Sequence, residues 1–129
     1  MFKTSVKRNF IAKHSLKGDF GKESKPHKHN YSVEWICVVE KLDDNDFGVD
    51  IALMEKILQG VSKKISNVFL NDMDFFKDKQ TSIENMAIFF FNNLKNSLIS
   101  QNYQFNRIKQ MEIKIFENKN TYSSYIIDL

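Results

Sequence analysis

Three histidines are the residues of this chain of 129 whose spacing most clearly suggests chemistry. His27 and His29 stand in the stretch KPHKHNY, so on an extended chain both side chains point to the same face. His14 ends an earlier stretch that alternates like a strand, and an antiparallel hairpin would bring it beside the pair. Three converging imidazoles would leave a further position open for water or substrate, as catalytic zinc sites require.

From spacing alone, a metal site and three unrelated surface histidines are equally good interpretations. An isolated His-x-His pair favours the second, whereas the placement of all three histidines in one predicted hairpin favours the first. Zinc is the preferred ion because neutral imidazoles suit it and no thiolate cluster competes. Copper, nickel and iron remain open on the same donor set.

The composition indicates one soluble globular domain over residues 1–129, since 42% of the residues are hydrophobic and 27% are charged. The net charge of +3 comes from scattered lysines, which argues against nucleic acid as the main partner. No apolar run approaches the ~20 residues of a membrane span. The single cysteine, Cys37, excludes an internal disulfide, fits a cytoplasmic location, and is predicted to be a small core residue.

Hydrophobic periodicity predicts six elements. Alternation with period 2 indicates strands, and apolar residues spaced by three and four indicate helices. Asp50 is the expected N-cap of the first helix, and Thr81 with Glu84 has the spacing of a capping box at the second. The predicted elements are strands at 2–14 and 29–41, helices at 51–65 and 82–99, and strands at 107–117 and 121–128.

The order strand, strand, helix, helix, strand, strand predicts an α+β fold. Its sheet would have four antiparallel strands, with both helices on one face. Such a sheet leaves two open edges, which proteins usually cover or pair with another subunit. We therefore expect a homo-oligomer.

Four short motifs give the chain a resemblance to a known family. They are FIAKH at 10–14, HKHNY at 27–31, TSIEN at 81–85 and FEN at 116–118. Together with the order of elements, they resemble the 6-pyruvoyl-tetrahydropterin synthases and the related 6-carboxytetrahydropterin synthases of queuosine biosynthesis. The resemblance implies a tunnelling fold, in which the sheets of several subunits join into a barrel, usually as trimers stacked into hexamers.

The resemblance also implies roles for particular residues. Zinc would bind His14, His27 and His29. Glu117 would anchor the amino-pyrimidine edge of a pterin, because a carboxylate can accept two parallel hydrogen bonds from such an edge. Ser82 matches a family threonine near the pterin pocket. Without the family, Glu117 would be interpreted as a solvated charge at a strand end, and Ser82 as part of an ordinary helix start.

One departure from the family pattern suggests the chemistry. Family enzymes carry a catalytic cysteine in the loop before the histidine pair, but the stretch FGKESKP has Glu23 in that place. A family subgroup with glutamate there is associated with cleaving dihydroneopterin triphosphate to a 6-hydroxymethyl pterin, a step that feeds folate synthesis. Glu23 is thus the candidate catalytic base. The alternative is a solvated loop glutamate.

A second departure concerns an Asp-His pair that relays protons in the family. Ser66 and Asn67 occupy those positions, and neither side chain titrates near neutral pH. Lys28 replaces the glycine that usually separates the two histidines, and its side chain should point away from the metal. The metal ligands are therefore complete, whereas the usual proton relay is missing.

These observations lead to three functional hypotheses. The first is a zinc-dependent lyase acting on 7,8-dihydroneopterin triphosphate or a related pterin, giving a 6-pyruvoyl, 6-carboxy or 6-hydroxymethyl product. The second is a catalytically impaired homologue that binds metal and a pterin or purine. The third is a structural oligomer with a vestigial site.

Overall fold

The computed structural model describes all 129 residues. The predicted order of elements is confirmed, with small differences at their ends. Strand β2 begins two residues earlier than predicted, so both histidines of the pair lie on the strand. The strands and helices are β1 (Phe2–His14), β2 (His27–Val39), α1 (Ile51–Ile65), α2 (Ile83–Ser100), β3 (Ile108–Asn118) and β4 (Thr121–Asp128).

The four strands form one antiparallel sheet, as predicted, and their order in it is β1-β2-β3-β4. Helix α1 packs against β1, and α2 packs against β3 and β4. Side chains alternate between the helix-covered face and the open face, with Tyr31, Val33 and Trp35 buried under the helices. The result is the predicted α+β layer fold.

The core between sheet and helices is rich in aromatic side chains. Trp35 from β2, Phe90 from α2 and Phe76 from the connection between the helices are all fully buried. Each such side chain stabilises the fold by roughly 1.5–3 kcal/mol relative to an exposed one. Cys37 is also fully buried and unpaired, as predicted for a small core residue. Neither helix is long and apolar enough to cross a membrane.

The N-terminus of each helix is capped by a side chain. Asp50 caps α1 as predicted, since its carboxylate accepts a hydrogen bond from the Leu53 N–H at 3.1 Å. The predicted capping box of Thr81 and Glu84 is wrong. The cap of α2 is Ser82, whose hydroxyl accepts from the Asn85 N–H at 3.2 Å.

Part of the free edge of β1 is covered by the segment that follows α1. The Asn67 N–H donates to the Ile11 carbonyl at 2.6 Å, and the Lys13 N–H donates to the Val68 carbonyl at 3.0 Å. Asn67 adopts a left-handed backbone with φ of 59°, which asparagine tolerates better than most residues. This pairing anchors the end of β1 that carries His14.

Candidate metal centre

The end of the β1–β2 hairpin brings the three histidines together. His14 and His27 are direct partners in the antiparallel register, and His29 follows on the same face of β2. The ring centroids are separated by 4.5 Å for His14 and His27, 4.7 Å for His27 and His29, and 5.3 Å for His14 and His29. The convergence expected from the spacing is therefore present in the structure.

Backbone carbonyls orient two of the imidazole rings. The Nδ1 atom of His14 donates to the Thr81 carbonyl at 2.8 Å, and the Nδ1 atom of His27 donates to the Lys25 carbonyl at 2.7 Å. A carbonyl can only accept, so each Nδ1 carries the proton. In the neutral ring this leaves the lone pair on Nε2, as metal-binding histidines require.

The Nε2 atoms of all three histidines are buried and lack a hydrogen-bond partner within the protein. Buried polar atoms are normally paired, because an unpaired one costs about 1–3 kcal/mol. One donor atom from each histidine and a carboxylate oxygen of Glu23 all lie within 4.8 Å of one another. Three histidine nitrogens and one carboxylate oxygen are ligands of the kind and number that zinc prefers.

The environment of His14 favours its neutral form. Its side chain is almost completely buried, and this burial lowers its pKa. The hydrogen bond to Thr81 acts in the opposite direction, while the nearby His27 and His29 lower the pKa further. Because a metal binds only the deprotonated imidazole nitrogen, His14 is ready for ligation at neutral pH.

A clamp of side chains holds the chain immediately after His14. The Asn71 side chain pairs with both backbone groups of Ser15, accepting from its N–H at 3.0 Å and donating to its carbonyl at 2.9 Å. The Thr81 hydroxyl donates to the same carbonyl at 3.1 Å. We refer to Asn71 and Thr81 as the Ser15 clamp.

Lys17 extends this attachment. Its backbone exchanges two hydrogen bonds with the Gln80 side chain, at 2.7 and 3.0 Å. Its ammonium group donates to the carbonyls of Phe76, Lys77 and Lys79 at 2.8–3.1 Å. The sequence did not predict these contacts, because they join residues about sixty positions apart and no local sequence pattern indicates them.

Two carboxylates flank the histidines from different elements. Glu23 lies on the short 3₁₀ turn Gly21–Ser24, and its Oε2 is 3.0 Å from Nε2 of His27. Glu117 lies on β3, and its Oε1 is 3.5 Å from Nε2 of His29. Both remain accessible, with 50% and 33% of their side chains exposed. Both sequence-predicted glutamates therefore reach the histidine cluster.

Tyr31 is a further polar side chain at the site that sequence reasoning did not select. It follows His29 on the same face of β2, with ring centroids 5.3 Å apart, and it is fully buried. Its hydroxyl has no hydrogen-bond partner. Burial raises its pKa, and the charges of Glu117 and Glu23 raise it further, so the phenol is neutral. The motif HKHNY could have predicted this position, because Tyr31 lies two residues after His29 and therefore on the same face of the strand as the two histidines.

The remaining predicted residues lie around this centre. Ser82 follows Thr81, the residue that contacts His14, and acts as the N-cap of α2. Ser66 donates to the carbonyl of Ser62 at 2.7 Å, and Asn67 lies along the β1 edge. Neither supplies a titratable group in place of the family's Asp-His pair.

Comparisons with known proteins support both the fold and the family. The chain matches the family model of 6-pyruvoyl tetrahydropterin synthase over residues 3–127. The Caenorhabditis elegans 6-pyruvoyl tetrahydropterin synthase superposes with a TM-score of 0.80 at 22% identity, covering 96% of this chain and 94% of that one. A comparison with curated proteins gives no match.

Two further structures share the fold. A Plasmodium vivax 6-pyruvoyltetrahydropterin synthase, described as a catalytic residue mutant with alanine in place of glutamate, has a TM-score of 0.82 at 13% identity and coverages of 99% and 98%. Escherichia coli dihydroneopterin aldolase in complex with neopterin has a TM-score of 0.50 at 11% identity and coverages of 100% and 99%. The low identities show the fold alone. The family model spans nearly the whole chain, and the protein therefore belongs to the 6-pyruvoyl tetrahydropterin synthase family, a family of lyases in pterin metabolism.

Proposed function

We propose that the protein is a zinc-dependent lyase acting on 7,8-dihydroneopterin triphosphate or a closely related pterin. The observation that carries this proposal is the set of three buried, unpartnered Nε2 atoms with two carboxylates close to them. His14, His27 and His29 would hold the zinc. When bound, zinc supplies a Lewis acid that polarises an oxygen of the substrate side chain.

The two carboxylates would have different tasks. Glu23, on the exposed turn, would accept the proton that the substrate loses when its side chain is cleaved. Glu117, on β3 beside His29, would accept paired hydrogen bonds from the amino-pyrimidine edge of the pterin. We also propose Ser82 as a pterin contact, because its hydroxyl hydrogen is still available while its oxygen caps α2.

Two structural relatives support a catalytic glutamate and a pterin ligand, respectively. The Plasmodium vivax enzyme has a glutamate that is described as its catalytic residue, so a glutamate can serve catalysis in this family. The Escherichia coli aldolase carries neopterin on a related fold. A glutamate in the place of the family's usual cysteine favours a 6-hydroxymethyl pterin as the product.

A second candidate function is a homologue that binds metal and pterin without efficient turnover. The observation that favours it is the replacement of the Asp-His pair by Ser66 and Asn67, whose side chains cannot relay protons near neutral pH. Tight pterin binding without consumption, lost in Glu117→Ala, would support this alternative.

The test of the lyase is turnover of 7,8-dihydroneopterin triphosphate by the zinc-loaded protein, with the pterin products identified by chromatography and mass spectrometry. We expect a new 6-substituted pterin from the wild type and at least about a hundredfold slower formation by Glu23→Gln, as for the loss of a general base. Unchanged substrate at high enzyme concentration would contradict the proposal.

We also propose that the protein works as a homo-oligomer, with sheets joined into a barrel. Strands β1 and β4 are the two edges of the sheet, and β4 exposes Tyr122 and Ile126 by 49% and 56%. A groove of about 490 Å³ also runs between β1 and α1, along the opposite edge. Open edges with exposed apolar side chains favour pairing between subunits. Light scattering on the purified protein would test this, with a trimer or hexamer expected.

A further inference from the structure

The relation between Glu23 and His27 is unusual for two neighbouring side chains. Oε2 of Glu23 lies 3.0 Å from Nε2 of His27, yet Nε2 has no hydrogen-bond partner. His27 carries its proton on Nδ1, where it donates to Lys25. A carboxylate oxygen and an imidazole lone pair therefore face each other, and this arrangement calls for a cation between them.

The other histidines point to the same cation. The Nε2 atoms of His14 and His29 are also buried and unpartnered, and the donor atoms of all four residues lie within 4.8 Å of one another. In a tetrahedral zinc site with bonds near 2.0–2.1 Å, neighbouring donors are about 3.4 Å apart. Small side-chain adjustments would therefore bring the carboxylate and the three imidazoles to one ion.

We propose that Glu23 is the fourth ligand of the metal in the resting protein, so that the site is closed until substrate displaces the carboxylate. This inference rests on the proposed metal site and deepens the proposed function. It gives Glu23 two successive states: a ligand before substrate binds, and a free base afterwards. The base would thus be released only when its substrate is present.

The surroundings of Glu23 allow this exchange. The backbone of the turn is fixed, because the Glu23 carbonyl accepts from the Leu16 N–H at 2.8 Å and Ser24 bonds back to Gly18 at 2.7 Å. The Glu23 side chain is half exposed and makes no hydrogen bond to another residue of the loop. Rotation of the side chain, without movement of the turn, would therefore carry the carboxylate on and off the metal.

Glu117 provides the contrast within the same site. Its Oε1 is 3.5 Å from Nε2 of His29, but it is not part of the group of mutually close donors. It also comes from a different element, strand β3. The geometry thus separates a carboxylate that closes the site from one that stays available to a ligand.

The test measures metal binding without substrate. Zinc affinity is determined by competition with a chromophoric chelator, and the ligand set is followed by the visible absorption of the cobalt-substituted protein. Glu23→Gln is expected to weaken zinc binding by at least about tenfold. Even residues that only hydrogen-bond to a metal ligand typically cost about 10–100-fold in metal affinity when they are replaced, and a ligand should cost no less. It should also change the cobalt spectrum. The matched control Glu117→Gln is expected to change the affinity by less than about fivefold, as for a partly exposed ion pair.

A second variant tests the vacated position directly. In Glu23→Ala, added acetate should restore a cobalt spectrum like that of the wild type, because it supplies the missing carboxylate. Wild-type zinc affinity and an unchanged cobalt spectrum in Glu23→Gln would overturn the inference, as would a wild type that binds neither metal. These readouts are independent of turnover, so the inference can fail while the lyase proposal stands, and a protein with Glu23 on the metal can still prove inactive.

Discussion

Replacing Asn71 by alanine tests whether the Ser15 clamp positions the metal centre. Asn71 makes two hydrogen bonds to the backbone of Ser15, the residue next to His14. Each is worth about 0.5–1.5 kcal/mol net, so the free energy of unfolding should fall by about 1–3 kcal/mol. The Ser15 carbonyl keeps its bond from Thr81, while the Ser15 N–H loses its only side-chain partner.

The more specific consequence concerns the metal. Without Asn71, the chain after His14 keeps only the Thr81 hydroxyl bond to Ser15, so the backbone beside the His14 ring is held less firmly. Loss of groups that orient a ligand typically costs 10–100-fold in metal affinity, so we expect a loss of about tenfold in Asn71→Ala. Urea unfolding of the metal-free protein gives the stability, and chelator competition gives the zinc affinity.

Asn93→Ala is the matched control. Asn93 donates to the Phe89 carbonyl within α2 and accepts from Lys64, away from the histidines. Its replacement should change the free energy of unfolding by less than about 1 kcal/mol and leave zinc affinity unaltered. If Asn71→Ala loses stability but binds zinc as tightly as the wild type, the clamp stabilises the fold without positioning His14, and the reasoning is refuted.

Two further predictions follow from burial and capping. Burial raises the pKa of the Cys37 thiol to about 12, whereas an unfolded thiol ionises near ~8.5. The folded protein then binds the extra proton, so stability is full below pH ~8.5 and falls as pH rises towards 12, by up to ~1.4 kcal/mol per pH unit. Urea midpoints against pH should show this slope in the wild type relative to Cys37→Ala, and parallel curves would contradict it. Ser82→Ala should lose about 1 kcal/mol of stability as a lost N-cap. Glu84→Ala should lose clearly less stability than Ser82→Ala, because no capping box forms; equal losses in the two variants would contradict the assignment.

The sequence predicted the fold, and it suggested the cluster of histidines as one of two equally good interpretations of their spacing. Alternation predicted the strands, and an antiparallel hairpin between consecutive strands would bring His14 beside the histidine pair. The structure shows that His14 and His27 are direct register partners, which the spacing did not specify. The pairing continues to His27 itself, which is why β2 begins earlier than the alternation of apolar residues indicated.

What sequence reasoning missed depends on contacts between distant segments. Thr81 and Ser82 are adjacent hydroxyl residues, and only the structure shows that Ser82 caps α2 while Thr81 donates to Ser15. The roles of Asn71 and Gln80 likewise exist only once the connection between the helices lies against the β1–β2 loop. Hydrogen bonds from a side chain to the backbone of a distant segment produce no periodic pattern in the sequence, so periodicity cannot predict them.

The most direct measurement of the proposed activity is its dependence on zinc. The metal is removed with a chelator, zinc is returned in steps, and the initial rate of 7,8-dihydroneopterin triphosphate consumption is recorded for the wild type and for His27→Ala. We expect no consumption without metal, a rate that rises until one zinc is bound per chain and then stays constant, and no recovery in His27→Ala. Equal rates with and without metal, or no consumption by the fully zinc-loaded wild type, would contradict a zinc-dependent pterin lyase.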